Sequence, residues 1–269
     1  VSTSAALART RATLLPGLPP VLACIGLLLA WQLYARTLSV GGIPDALSTI
    51  RELPAILGDR ESLYDIMESI RRMMIGFAIA LAFSVPLGLF MGRSRMVAAL
   101  VNPLLMITYP VPKAALMPII MLWFGVGDAS KLLVIVLGVS LPIIYHAYQG
   151  ARSVEEKMLW SARAMGMSGP ARLLRIVLPA ALPEILVGCR TGIVLALITM
   201  ITSEMIARQN GAGNILFNAL DMAQYETVYA MILVISALGI LLDVLFEYVR
   251  GWLTGWAEPR HELVVPPPL

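Results

Sequence analysis

No aspartate, glutamate, lysine or arginine occurs between Arg72 and Arg93, and none between Arg11 and Arg36. An apolar run of about twenty residues is what a helix needs to cross the hydrocarbon core of a bilayer. Four further stretches read the same way: Val101 to Phe124, Lys131 to Arg152, Glu184 to Ile206 and Thr227 to Val249. The third of the six is interrupted by Pro110, Pro112, Lys113 and Pro118. With no water to satisfy backbone groups, such stretches are forced into helices. The chain is 58% hydrophobic and only 14% charged, against roughly 25% charge in soluble domains. The expected fold class is an all-α integral membrane protein of about six transmembrane helices. The first stretch is too long, and too lacking in a small-residue cleavage site, to read as a signal peptide.

Lysine and arginine in the loops set the orientation. A cytoplasmic N-terminus puts Arg9, Arg11, Arg93 and Arg95 inside. It does the same for Arg152, Lys157, Arg163, Arg172, Arg175, Arg250 and Arg260. Two outside loops then carry little: Lys131 with Asp128, and Arg208 with Asp221 and Glu226. The first outside loop is the exception, holding Arg51 and Arg60 and flanked by Arg36, Arg71 and Arg72. The reverse orientation would place the basic central loop outside, so both termini are expected in the cytoplasm. After the turn signal Gly41, Gly42 and Pro44, residues Leu47, Ile50, Leu53, Ile56 and Leu57 recur at helical spacing. They predict a short amphipathic helix on the outer membrane face that packs against the bundle.

Between the fourth and fifth stretches lies a basic, glycine-punctuated segment, "SARAMGMSGPARLLRIVLP", Ser161 to Pro179. Residues Val154 to Met165 favour helix. Gly166 stands where a helix stops, and Gly169-Pro170 restarts one. A second short helix follows and ends before Pro179. Leu173, Leu174, Ile176 and Val177 give this helical hairpin an apolar face, and Arg172 and Arg175 a basic one. By itself the pattern fits either a loop that only enforces topology or a docking surface for a cytosolic partner.

The segment resembles the EAA loop of ABC-importer permeases of the binding-protein-dependent type. Ala162 matches the motif's third position, Gly166 its glycine, and Ile176 with Leu178-Pro179 its end. Trp160 and Ser161 depart from the usual glutamate and alanine. Three more segments resemble the sulfonate, taurine and nitrate branch in the right order: "SIRRMMIGFAIALAFSVPLGLFMG", "YPVPKAALMPIIMLWFGVGDASK" and "SEMIARQNGAGNILFNA". The resemblance implies a type I importer permease fold in a bacterial plasma (inner) membrane. It implies two permease copies, expected as a homodimer, and two cytosolic ATPase subunits that hold ATP and Mg. An extracytoplasmic binding protein delivers the solute. The permease chain itself is then no enzyme and binds no cofactor, in keeping with the lack of a G-x-x-x-x-G-K-[ST] loop. The coupling residues implied are Ala162, Arg163, Gly166, Ser168, Arg172, Leu174, Ile176 and Pro179. Solutes of the branch are sulfonates, taurine, nitrate, bicarbonate and heterocyclic precursors.

Ionisable groups inside a membrane usually face protein or water. Glu204 follows Thr199, Thr202 and Ser203 near the outer end of the fifth stretch. It is either a packing carboxylate or a group at a gate or docking point. Lys113 either attracts an anion or neutralises a helix end, and Arg190 is expected to snorkel to the cytoplasmic surface. Pro110, Pro112 and Pro118 bend the third span, which suits either a segment facing the pathway or a helix kinked for packing. Asp243 and Glu247 share a helix face and are expected to be solvated or paired with loop arginines. Met73, Met74, Met91, Met96, Met106, Met117 and Met121 read as core filler, and Cys24 and Cys189 as small buried hydrophobes. With His146 and His261 far apart, no metal spacing occurs. Without internal repeats, an inverted-repeat transporter is not supported. A proton-coupled transporter using Glu204 or Lys113 is the alternative. The expected layout is residues 1–65 as first span plus outer amphipathic segment and 66–255 as permease core. Within that core the coupling loop covers about 150–182, and a flexible tail occupies 256–269.

Overall fold

The computed structural model describes residues 18–38 and 42–257. Arg9, Arg11, Gly41, Arg260, His261 and the proline-rich tail lie outside the described residues. In chain order the helices are α1 (Leu18–Leu38), α2 (Ala46–Gly58), α3 (Arg60–Arg93) and α4 (Arg95–Thr108). A 3₁₀ turn (Lys113–Leu116) leads into α5 (Met117–Phe124) and α6 (Asp128–Ser153). Then come α7 (Glu156–Ala164), α8 (Gly169–Arg172), a π turn (Leu173–Val177) and α9 (Leu178–Ala207). The last two are α10 (Ala212–Asp221) and α11 (Tyr225–Leu253). No strand occurs among the described residues.

Among the described residues, α3, α6, the continuous stretch Gly169–Ala207, and α11 are long and apolar enough to cross a membrane. The pair α4 and α5 makes a fifth if counted as one span, although the two halves meet at 82°. The first expected span corresponds to α1, 21 residues long. The described helices fall into two compact units. One takes the chain up to Leu63 together with Leu216–Val234; the other takes Tyr64–Ile215 and the chain from Ile235 onward.

In the larger unit the helices meet through small residues, as they must where lipid offers no hydrophobic gain from helix contact. A Cβ on Gly88 of α3 would lie 2.5 Å from the Ala147 Cβ of α6. One on Gly150 of α6 would lie 2.9 Å from the Ala181 carbonyl of α9. The core between these three helices is Met73, Phe77, Val139, Ile143, Ile185 and Met200. The methionine expectation holds for Met73, Met91 and Met117, which are buried, but not for Met74, Met96 and Met106, which are exposed. Cys189 is buried as expected; Cys24 is exposed instead.

In the smaller unit α1 and α2 are tied by polar contacts. Trp31 Nε1 donates to the Pro44 carbonyl at 3.1 Å, and Gln32 Nε2 to Asp45 Oδ2 at 2.8 Å. The Leu47 N–H returns to Gln32 Oε1 at 3.0 Å. Hydrogen bonds from Gln32 and Ser48 hold the Asp45 carboxyl below the usual carboxylate range. Helix α2 stands where the amphipathic pattern predicts it, but its buried face is Ala46, Thr49 and Ile56. Leu47, Ile50 and Leu57 are exposed, so most of the predicted apolar stripe does not pack.

Candidate functional site

The C-terminal end of α9 carries the most heavily bonded carboxylate in the larger unit. Glu204 is fully buried. The Ser69 hydroxyl of α3 sits 2.8 and 2.7 Å from its two oxygens, and the Gly213 N–H donates to Oε2 at 3.1 Å. Arg72 Nη1 reaches Oε1 at 3.0 Å. Arg72 is itself only 2% exposed. It also donates from Nε to Asp128 Oδ1 at 2.6 Å and from Nη2 to Asn210 Oδ1 at 2.8 Å. Lys131, fully buried, donates to the same Asn210 oxygen at 3.0 Å. Arg71 bonds both Glu68 and Asp128. A buried charge survives only when paired and hydrogen-bonded; Glu204 and Arg72 meet both conditions, and Lys131 is held by the side-chain and main-chain oxygens of Asn210.

The turn after α9 is shaped around this cluster. Arg208 caps α9 in the left-handed region, and Gly211 follows at φ +115°. A Cβ on Gly211 would strike the Glu204 carboxylate. Only glycine lets the backbone come close enough for Ala212 to donate to Ser69 Oγ at 2.8 Å and Gly213 to donate to Glu204. Sequence reasoning singled out Glu204 but missed Ser69, Arg72, Asp128, Lys131 and Asn210. It read Arg72, Asp128 and Lys131 as loop charges that mark the ends of spans. The Gly-x-Gly turn beside Glu204 was the available signal. Ser203 is buried and bonded to the Met200 carbonyl at 2.8 Å, outside the cluster.

The broken span is a second feature. After α4 ends, Pro110 and Pro112 lie in a non-helical link, and Lys113 folds back on the helix end. Its ammonium bonds the Thr108 carbonyl and, at 3.0 Å, the Tyr109 carbonyl. Of the two alternatives for Lys113, neutralising a helix end is the one in place. Pro118 falls in the first turn of α5, where a missing N–H costs nothing, so it does not bend the span as expected. A cavity of about 1060 Å³ opens beside the break. It is bounded by Pro112 and Lys113, by Asn102 of α4, by Tyr145 and His146 of α6, and by Thr199 of α9. Thr199 and Thr202 spend their hydroxyl protons on the Leu195 and Ile198 carbonyls, each at 2.7 Å. Pro110, Thr202, Ser203 and Glu204 do not line the cavity.

The basic hairpin is the third feature. Helix α7 ends in a Schellman motif: the Met167 N–H bonds the Ala162 carbonyl and the Gly166 N–H the Arg163 carbonyl, both at 3.0 Å. Gly166 takes φ +80° with open space where a side chain would be. Ala162 is fully buried, while Trp160 and Leu174 are each 61% exposed. Ser168 stands at the start of α8, and Arg163 is exposed. Ile176 packs from the edge against the core. One expectation fails: the second helix does not end before Pro179. It runs on through the π turn into α9. A proline lacks a donor and crowds the carbonyl four residues back; the wider π turn over Leu173–Val177 absorbs that defect, as π-bulges do. The second arm of the hairpin is therefore the same rod as the fifth span.

Arg190 is held by a partner on another helix. Its Nε and Nη2 bond Asp243 of α11 at 2.8 and 2.9 Å. Asp243 is thereby paired with a span residue instead of a loop arginine, while Glu247 pairs with Arg250 at 3.2 Å. His146 Nδ1 lies 3.0 Å from Glu184. No group of three histidine, cysteine or acidic side chains is placed to hold a metal among the described residues.

A family model described as "Binding-protein-dependent transport system inner membrane component" matches residues 84–254. The chain belongs to this family. The match takes in the broken span, the hairpin and Glu204 with its turn. The taurine transport system permease protein TauC of Escherichia coli is 34% identical over 70% of this chain and 68% of its own length. The aliphatic sulfonates transport permease protein SsuC of Escherichia coli is 31% identical over 88% and 91%, and its Bacillus subtilis counterpart 28% identical over 86% and 87%. Among solved structures, an inward-facing MetNI methionine ABC transporter chain has the same fold, at TM-score 0.61 and 14% identity. That likeness covers 71% of this chain and 95% of the other. The expected type I importer permease fold therefore holds. The chain is a permease component of a binding-protein-dependent ABC importer in the inner membrane, and ATP hydrolysis belongs to a separate subunit. Nothing in this family supports the proton-coupled alternative.

Proposed function

We propose that two copies of this permease form the translocation pathway for a small organosulfonate such as taurine or an alkanesulfonate. An extracytoplasmic binding protein delivers the solute, and two cytosolic ATPase subunits, holding ATP and Mg, drive the cycle. The N- and C-termini and the hairpin face the cytoplasm, as the loop arginines favour. The relatives TauC and SsuC support the solute class.

One observation carries the coupling mechanism. The hairpin presents exposed Trp160 and Leu174 at a glycine-bent tip, and its second arm continues without a break into the fifth span. The coupling loop, about 150–182, is therefore a lever: Ala162 anchors it in the core, Ser168 and Leu174 meet the ATPase, and Arg163 and Arg172 flank that contact on the side of α3. Gly166 sets the bend, and Ile176 and Pro179 join the tip to the span. ATP-driven closure of the ATPase pair would move α9 as a rod. Solute would then pass along the cavity beside Pro112, Lys113 and Thr199 in the core over residues 66–255. Glu204, with Ser203 and Thr202 beside it, holds the outer end of α9 and sets how far that rod can swing near the gate; Pro110 shapes the break.

The double variant Gly166→Pro with Leu174→Asp tests this reading. Proline cannot take the left-handed backbone that Gly166 occupies, and the aspartate puts charge on the apolar tip. The variant should insert normally but lose the ATPase on co-purification and lose solute uptake. An ATPase that stays bound with undiminished uptake would refute the lever.

A further inference from the structure

A second cleft, of about 660 Å³, lies where the end of α3 and the start of α4 meet the hairpin. Its polar groups are unbalanced. Three arginines border it, Arg93, Arg163 and Arg172, against one carboxylate, Glu156. Arg93 is engaged, with Nη2 at 2.9 Å from Glu156 and Nη1 at 3.3 Å from the Ala151 carbonyl. Arg163 and Arg172 make no side-chain ion pair among the described residues. The walls are apolar: Val85, Leu89 and Phe90 from α3, and Leu173 and Val177 from the π turn. Val85 precedes Arg93 by eight residues, about 12 Å of helix. The trough therefore runs from a basic rim well into the length of a membrane-spanning helix.

Each simple occupant leaves half of this site unused. A free phosphate or sulfate would meet the guanidiniums but gain nothing from aliphatic walls. An apolar peptide segment would fill the trough and leave two unpaired guanidiniums beside it. An amphiphile with an anionic head satisfies both parts: phosphate oxygens accept forked hydrogen bonds from arginine, and an acyl chain lies along Val85, Leu89 and Phe90. Basic pockets between spans on the cytoplasmic side are suited to anionic headgroups.

We propose that this cleft binds an anionic phospholipid of the cytoplasmic leaflet, headgroup on Arg93, Arg163 and Arg172 and one acyl chain along α3. The inference rests on the cytoplasmic orientation proposed above for the hairpin. The lipid bridges α3 to the lever and holds the hairpin at the membrane surface.

The test uses the permease purified with its ATPase and exchanged into nanodiscs of phosphatidylglycerol or of phosphatidylcholine. Native mass spectrometry counts retained lipid, and co-purification scores the ATPase separately. Wild type should retain phosphatidylglycerol over phosphatidylcholine. Arg93→Gln, which lies outside the hairpin, should cut that preference about fivefold, and adding Arg163→Gln and Arg172→Gln about fivefold for each further charge removed. The triple Arg→Lys variant should keep most of it, which separates lost charge from lost fold. Equal retention of the two lipids would overturn the proposal. So would displacement of the lipid by free phosphate, or retention only when the ATPase is absent, since the cleft would then be an ion site or a protein-docking surface. An undiminished preference in the triple Arg→Gln variant would overturn it as well, whereas wild-type permease that keeps the lipid preference but does not hold the ATPase would count against the lever alone.

Discussion

Glu204, Arg72 and Lys131 are buried together, and what keeps them there is the hydrogen bonding they share with Ser69, Asp128, Asn210 and the Gly213 N–H. Removing one partner of such a pair strands the other. Glu204→Leu should therefore destabilise the fold by about 3 to 5 kcal/mol, read as a lower melting temperature in detergent. Gly211→Ala should destabilise as well, because its Cβ meets the Glu204 carboxylate and its backbone is left-handed. A different chemistry operates at Asp45. Its carboxyl is held below the ordinary range by Gln32 and Ser48, so the folded state binds the proton less readily than the unfolded one. That contribution is present above the unfolded pKa and is lost as pH falls through the depressed folded value. Hydrogen exchange at the start of α2 should accelerate over that acid window, and Asp45→Asn should remove the pH dependence.

At the scale of elements, the apolar periods and uncharged runs were enough to locate the helices, because a bilayer leaves the backbone no alternative. They misjudged helix ends for two physical reasons. Charge was taken to mean loop, whereas Arg72 and Lys131 neutralise their burial with Glu204, Asp128 and Asn210, and α3 starts as early as Arg60. Proline was taken to mean stop, whereas the π turn before Pro179 carries the helix onward. The Schellman turn at Gly166 was legible because it is local, set by one glycine and its neighbours. The partners of Glu204 were not, since Ser69 lies 135 residues away in sequence. Arg190 and Asp243 are another such long-range pair, linking α9 to α11. A double-mutant cycle on Arg190→Leu and Asp243→Leu should give a coupling energy of about 0.6 to 1.7 kcal/mol, the span seen for polar contacts between membrane helices. Additive effects would mean that the two side chains do not sense each other.

For the whole molecule, the large apolar residues left exposed, such as Leu122, Trp123, Met106 and Trp252, need lipid or a second permease to cover them. Membership of the importer family and the lever-like hairpin lead to one functional account: solute crosses only when the ATPase moves α9. The most direct test is uptake of radiolabelled taurine or an alkanesulfonate into proteoliposomes that contain the permease with its ATPase. Uptake should require both the binding protein outside and ATP on the hairpin side, and a pH gradient should not replace ATP. Uptake driven by a pH gradient in the absence of ATPase and binding protein would contradict the account.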